Sequence, residues 1–490
     1  MQLIFLPALI LAPALLLAQA PSDYASPKCT PNGPAGASWA CDVYGAPAPP
    51  PAPPIPAAGQ VTTDPSTGNR VLRVTSDQNP NNGAQPEGAS YWATAAGWMR
   101  VWNADSTRFL VNGENGVTYI YSFDPKSMTL GGWITAPPGQ WQFTNYDPNI
   151  IMGTGPNGSN GGNCLVSYNV ATQQWDNRCI RDFTTIPGWP SGKGGAIMHL
   201  NHDWACMMTD SQDNGFGVGC FSLYNHDNTA YIDVLNGTIN GQPFPSNVRR
   251  ANQGQGTGIH EITVSPDGWL AIDSHSPTCP NSTAPAEFYV NLNTKQVYQP
   301  TEGCGSTHWA LGFNGYLVQG GGAANACSQQ DSRHESARYM NDSSNTWQQL
   351  NPCIEQNQNF NSNIHVTWQN NDDPKRPNGV PVIGLAFPDS SSPQYLSGEI
   401  FGYGVGAQAK QNNVYRFGQT WATPAGVPGS CAVALDYASA QVSNDGKWVL
   451  FYSDWQGQTG HNGRSEGGDF PCGSDSQGRH RMDAFIMELK

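Results

Sequence analysis

From about residue 60 onward the chain repeats one pattern: a short apolar or His-led stretch, a turn rich in Asp, Asn and Gly, then a second apolar stretch. Alternation of period two between such turns predicts antiparallel strands rather than helices. The clearest copies are IHEITVSPDGWLAIDSH from Ile259 and YASAQVSNDGKWVLFYSDW from Tyr437. Weaker copies start at Gly97, Trp141, Met198, Thr307 and Ile364, which makes seven in all. Most are followed by a second hairpin such as EFYVNLNTKQVYQ from Glu287. Each repeat then supplies about four strands, the unit of a propeller blade. The expected fold is all-β: a seven-bladed β-propeller of four-stranded antiparallel blades.

The last repeat runs out after RMDAFIMELK, one strand short of a blade. RVLRVTSD at 70–77 has strand alternation and no hairpin partner of its own, so it is expected to complete that blade and close the ring. Ahead of it lie three other stretches. Residues 1–20 are an apolar run ending in Ala18-Gln19-Ala20, read as an export signal; Pro7 and Pro13 interrupt it and it is short for a membrane span. Residues 21–60 hold a Cys29 to Cys41 loop and the run GAPAPPPAPPIPAAG at 45–59, whose prolines favour an extended polyproline II spacer. Residues 61–490 are the propeller domain.

Composition narrows the picture further. The chain carries 55 Gly, 39 Pro and only 12% charged residues, a turn-rich and helix-poor balance. Its 12 cysteines include no C-x-x-C cluster, so in an exported chain they read as disulfides. Near-neighbour pairing gives Cys29 with Cys41, Cys164 with Cys179, Cys206 with Cys220, Cys279 with Cys304, Cys327 with Cys353, and Cys431 with Cys472. A net charge of −14 argues against nucleic acid and against an anionic membrane surface, which would each require a basic face. The expected partner is an extracellular glycan or a small molecule, bound by a monomer that is secreted or periplasmic.

The histidines sort by blade position. His199, His260, His308 and His365 fall at or near the start of the innermost strand of the third to sixth blades. His275 ends a second strand, while His334, His461 and His480 lie in long loops that return to the same face. Eight of the ten histidines map to that face, leaving His202 and His226 opposite. A ring of imidazoles suits a divalent transition metal of unassigned identity, acid–base chemistry near neutral pH, or hydrogen bonding to sugars. The metal set is His199, His260, His308 and His365, with Glu261 orienting ligands from behind. His275, His334, Arg250 and Arg333 are the catalytic candidates. Arg249 and Arg464 suit carboxylate or sulfate groups, and Tyr91, Trp92 and Trp309 could stack on sugar rings.

The turns V-S-P-D-G-x-W and V-S-N-D-G-K-W resemble those of the TolB-like propellers, a superfamily that includes the oligogalacturonate lyases. The resemblance spans about residue 70 to the end and identifies a propeller rather than a reaction. It implies a metal held by His and Gln side chains that neutralises a uronate carboxylate while a base takes the adjacent proton. The matching residues are His260, His308 and His365, with His199 as a further ligand. The chain departs from that family in lacking a closely spaced ligand cluster at the end of one blade: VTW follows His365 without a second His. The reading is a glycan-active propeller, with a metal-assisted polysaccharide lyase as its sharpest form. A non-catalytic propeller that binds carbohydrate or protein, and a His-ligated redox metalloprotein, are the alternatives. No G-x-S-x-G, H-E-x-x-H or P-loop motif offers another chemistry.

Overall fold

The computed structural model describes residues 28–29, 51–76, 91–92, 99–113, 116–154, 163–201, 203–210, 215–251, 258–274, 287–299, 308–320, 336–341, 348–350, 364–371, 382–386, 398–405, 414–423, 440–459 and 482–490. For some of these, His308 and His365 among them, only the course of the backbone is described.

The described strands form seven antiparallel sheets, numbered here along the chain by their innermost strands. Those innermost strands are Tyr91–Trp92, Gln140–Phe143, Gly195–Asn201, Glu261–Val264, His308–Leu311, Ile364–Thr367 and Gln441–Val442. In the first sheet Trp102 bridges to Phe109 and continues the inner edge. In the first five sheets the following strands run outward in chain order, and the sixth and seventh end in strands from earlier in the chain. This is a β-propeller, as the repeats predicted.

Turn chemistry explains why the two clearest repeats are so regular. In Ser265-Pro266-Asp267-Gly268, the Ser265 hydroxyl accepts from Trp269 N at 2.8 Å and donates to Asp267 at 2.8 Å. Ser443 repeats this with Trp448 N at 3.0 Å and with Asp445 at 2.6 Å. Gly268 at φ 87° and Gly446 at φ 72° supply the left-handed residue each turn requires. At Gly268 space agrees with conformation, since a Cβ would lie 2.5 Å from the Trp204 indole nitrogen.

Ring closure follows the expectation in detail. Arg70–Arg73 pairs with Asp483–Glu488 and stands fourth in the seventh sheet, with Val61–Thr63 outside it. Arg73 donates to the fully buried Asp483 at 2.5 and 3.0 Å, and Thr75 donates to the same carboxylate at 3.1 Å. Lys28–Cys29 adds a fifth strand to the outer edge of the sixth sheet. Residues 51–58 of the proline-rich run lie against the propeller, with Ala52 and Ile55 packed on the apolar cluster that holds Trp421 and Trp455.

The apolar core lies between neighbouring sheets, as the separate clusters of the third with the fourth and the fourth with the fifth show. Two disulfides are described, Cys164–Cys179 and Cys206–Cys220, both as paired by sequence order. Cys206 and Cys220 face each other across adjacent strands of the third sheet. Each of the other four pairings includes at least one cysteine outside the described residues, and residues 1–20 lie outside them too. No described helix is long and apolar enough to cross a membrane.

On the lower face, opposite the starts of the inner strands, Lys295 ties the fourth sheet to the third. Its ammonium donates to Asn228 Oδ1 at 3.0 Å and to Leu292 O at 2.6 Å, 4.8 Å from the Trp204 ring centroid. Burial without a carboxylate pulls its pKa down to about 8.

Two stability measurements test this account. Asp483→Ala leaves Arg73 buried without its anion and should cost about 3–5 kcal/mol in urea denaturation. In the second, an unfolded lysine stays protonated to about pH 10.4, so the unfolded state binds more protons than the native state once Lys295 has titrated. Stability should rise from pH 8 towards 10, and Lys295→Met should remove the rise. Above pH 10 the sign reverses, because burial holds the Tyr231 hydroxyl up at about 12 while an unfolded tyrosine ionises near 10.

Candidate functional site

The starts of the inner strands define the upper face. In the fourth sheet His260 immediately precedes Glu261–Val264, and its amide donates to Asp273 O at 2.7 Å. His308 is the first residue of the fifth inner strand, opposite Gly320. His365 is the second residue of the sixth, opposite Leu385. Three of the four expected positions thus fall near the same height on consecutive inner strands. The His260 side chain is partly exposed there.

His199 does not join them. It is the fifth residue of Gly195–Asn201, four residues below the start, which at about 3.3 Å per residue is roughly 13 Å. It is fully buried, and its Nδ1 accepts from Val264 N at 2.9 Å. Asn201, two residues on, donates to Val264 O at 2.9 Å. The pair satisfies both backbone groups of a residue on the neighbouring inner strand, where no ladder partner exists. His199 is therefore a clamp between two sheets, and the four-histidine ring is corrected to three backbone positions.

The remaining expected residues separate. Arg249 and Arg250 are exposed, and the Arg249 backbone exchanges hydrogen bonds with the Gln299 amide at 3.0 and 3.1 Å. Gln299 adjoins the outermost strand of the fourth sheet, three strand spacings from the axis, or about 14 Å. These arginines sit on the perimeter and are not brought to His260. Trp309 is 1% exposed and packs edge-on to Tyr289, with ring centroids 6.4 Å apart. Its ring belongs to the core and cannot serve as a sugar platform. The backbone of Tyr91 and Trp92 forms the inner edge of the first sheet. His275, His334, Arg333 and Arg464 lie outside the described residues.

One feature of this region was missed at sequence level. Glu261, Asp273 and Glu287 are directly opposite one another on three adjacent strands of the fourth sheet, at its upper end. Opposed residues share a sheet face. All three are buried, at 1%, 0% and 2% exposed. Tyr289 donates to Glu287 at 2.5 Å, and the Arg338 guanidinium of the fifth sheet lies 5.1 Å from the Tyr289 ring centroid. Burial, reinforced by the Glu287 charge, pushes the Tyr289 hydroxyl well above its ordinary range. The signal existed in the alternation of EFYVN and WLAID, where Leu270, Ile272, Phe288 and Val290 face one way and Asp273 and Glu287 the other.

Two observations bound what the site can hold. Among the described residues, no group of three or more His, Cys, Asp or Glu side chains is arranged to hold a metal ion. Below the histidines, a cavity lined by His199, Asn201, Thr263, Trp309, Trp368 and Gln369 has room for roughly one water.

No family model matches the chain, and no curated protein matches it. Solved structures do. An oligogalacturonate lyase in complex with manganese is 12% identical, with a TM-score of 0.51 over 90% of this chain and 98% of that one. An oligogalacturonate lyase from Vibrio parahaemolyticus is 9% identical, with a TM-score of 0.48 over 90% and 99%. The structure of U3-55K is 9% identical, with a TM-score of 0.39 over 83% and 100%. Identities this low carry the propeller fold and no chemistry.

A clamp and a ligand predict different losses. His199→Ala should leave Val264 N–H without an acceptor and cost about 1–3 kcal/mol, read by denaturation and by faster exchange of the Val264 amide. Unchanged stability would return His199 to the candidate ligands.

Proposed function

We propose that the protein is an exported, glycan-active propeller whose reaction takes place at the upper face between the fourth and sixth sheets, as a lyase on uronate-containing polysaccharide. The observation that carries this reading is the set of three histidines near the starts of three consecutive inner strands, with His260 partly exposed next to Glu261, the first of the buried carboxylate row. The two described disulfides support export. In such a reaction a base removes the proton beside the uronate carboxyl group, the glycosidic C–O bond breaks, and a C=C bond forms between the two carbons. The leaving oxygen takes up a proton. His260, partly exposed at the upper face, is the described side chain assigned here as the base for that step. Arg333 and Arg464, with His275 and His334, remain the proposed partners of the uronate carboxylate and lie outside the described residues.

The lyase in complex with manganese makes a divalent metal part of the question. The described side chains do not assemble a metal centre, so no step is routed through one. Elemental analysis of the exported protein tests it separately: near-stoichiometric metal that disappears on joint Ala replacement of His260, His308 and His365 supports a metal site. One observation favours a second reading, a non-catalytic carbohydrate-binding propeller. The row of buried carboxylates at the upper end of the fourth sheet suits a neutral sugar better than a polyanion.

Incubation with polyuronates distinguishes the two. A lyase releases an unsaturated product with ultraviolet absorbance, and His260→Ala should lower its rate about 10²-fold or more with the fold intact by circular dichroism. No absorbance on any uronate, together with retention on a neutral glycan column, would establish the binding reading instead.

A further inference from the structure

The proline-rich run meets the upper face in a patterned way. Between residues 49 and 56 the sequence is PPPAPPIP, so Ala52 and Ile55 alone carry a backbone N–H. Both are used. Ala52 N donates to Gln456 Oε1 at 3.0 Å, and Ile55 N donates to Gln458 Oε1 at 2.9 Å. They are three residues apart, one turn of a polyproline II helix, which places both donors on one edge. Between them the Pro53 carbonyl accepts from the Trp455 indole at 2.8 Å and from Gln458 Nε2 at 3.4 Å. The Gln458 amide therefore reads a donor and an acceptor of the same turn. The side chains of Ala52 and Ile55 rest on the apolar cluster of Trp421 and Trp455, whose ring centroids are 4.4 Å apart. Arg73 closes the far end by donating to Pro56 O at 2.9 Å.

Aromatic rings set beside donors aimed at proline carbonyls are the means by which proteins read polyproline II segments. Here both N–H groups between residues 49 and 56 are matched across more than 400 residues of sequence. We propose that Trp421, Trp455, Gln456 and Gln458 form a polyproline-reading groove, occupied in cis by residues 51–56, which accepts a separate segment of the same Ala-Pro-Pro-Ile-Pro register. The ligand class is a proline-rich peptide with single non-proline residues every third position, whose low conformational freedom lowers the entropy cost of docking. The inference does not depend on the glycan reading, since the groove lies on the sixth and seventh sheets and uses none of the histidines.

In the full chain Ala52→Pro with Ile55→Pro keeps the run's conformational preference while deleting both donors. The probe is a synthetic peptide of residues 49–58, followed by tryptophan fluorescence. The unaltered chain should show no binding, because a short tether presents its own run at an effective concentration on the order of millimolar. The doubly substituted chain should bind the peptide. Adding Trp455→Phe, which keeps the ring stack and removes the indole N–H, should weaken binding at least about tenfold. Gln458→Met offers the same test at a more exposed position should the Phe variant fail to fold. The proposal is overturned if the doubly substituted chain, folded by circular dichroism, binds no peptide. It is equally overturned if the unaltered chain binds as tightly, or if removing the indole N–H and the Gln458 amide leaves affinity unchanged.

Discussion

A ring of sheets holds together only where its last sheet is completed, and here the completing strand, Arg70–Arg73, is drawn from more than 400 residues upstream of its partner Asp483–Glu488. That pairing is long-range, so it forms late in folding and at a large loop-closure cost. The chain strengthens it at several places at once. Arg73 and Thr75 converge on Asp483, Arg70 on Glu488, and the turn at Asp64 reaches the sixth sheet through Gln419 N at 2.8 Å. In the sixth sheet Arg416 pairs with the buried Glu399, which Asp64 also influences electrostatically. Closure is thus a polar lock laid over apolar packing, and breaking one partner would leave a buried charge behind.

With the ring closed, height along each inner strand decides which side chains can meet. Register converts residue number to height at about 3.3 Å per step, so a difference of four residues separates His199 from the histidines of the next three sheets. The same register brings Glu261, Asp273 and Glu287 level, although loops divide them in sequence. The upper end of the fourth sheet accordingly combines one partly exposed imidazole, three buried carboxylates and, from the fifth sheet, one guanidinium.

What was legible followed from local chemistry. The S-x-D-G turns announce themselves because Ser, Asp and Gly each do a separate job within four residues, and the unpartnered alternation of RVLRV announces the closing strand. His199 was misjudged because the third inner strand begins at Gly195-Ala196, residues with no apolar weight, so the repeat looked as if it started later than it does. The carboxylate row was hidden because a strand's partner across a long loop is not fixed by its own pattern. The proline run was recognisable as an extended element from composition, whereas the glutamines that hold it lie at the other end of the chain and have no local signature.

The carboxylate row constrains any function of the upper face. Each buried carboxylate of the row raises the cost of bringing another anion to the upper end of the fourth sheet. A polyanionic ligand there would need compensating cations, supplied by the protein or bound with it. A neutral sugar needs neither, and would use the carboxylates only through intervening hydroxyl and backbone groups.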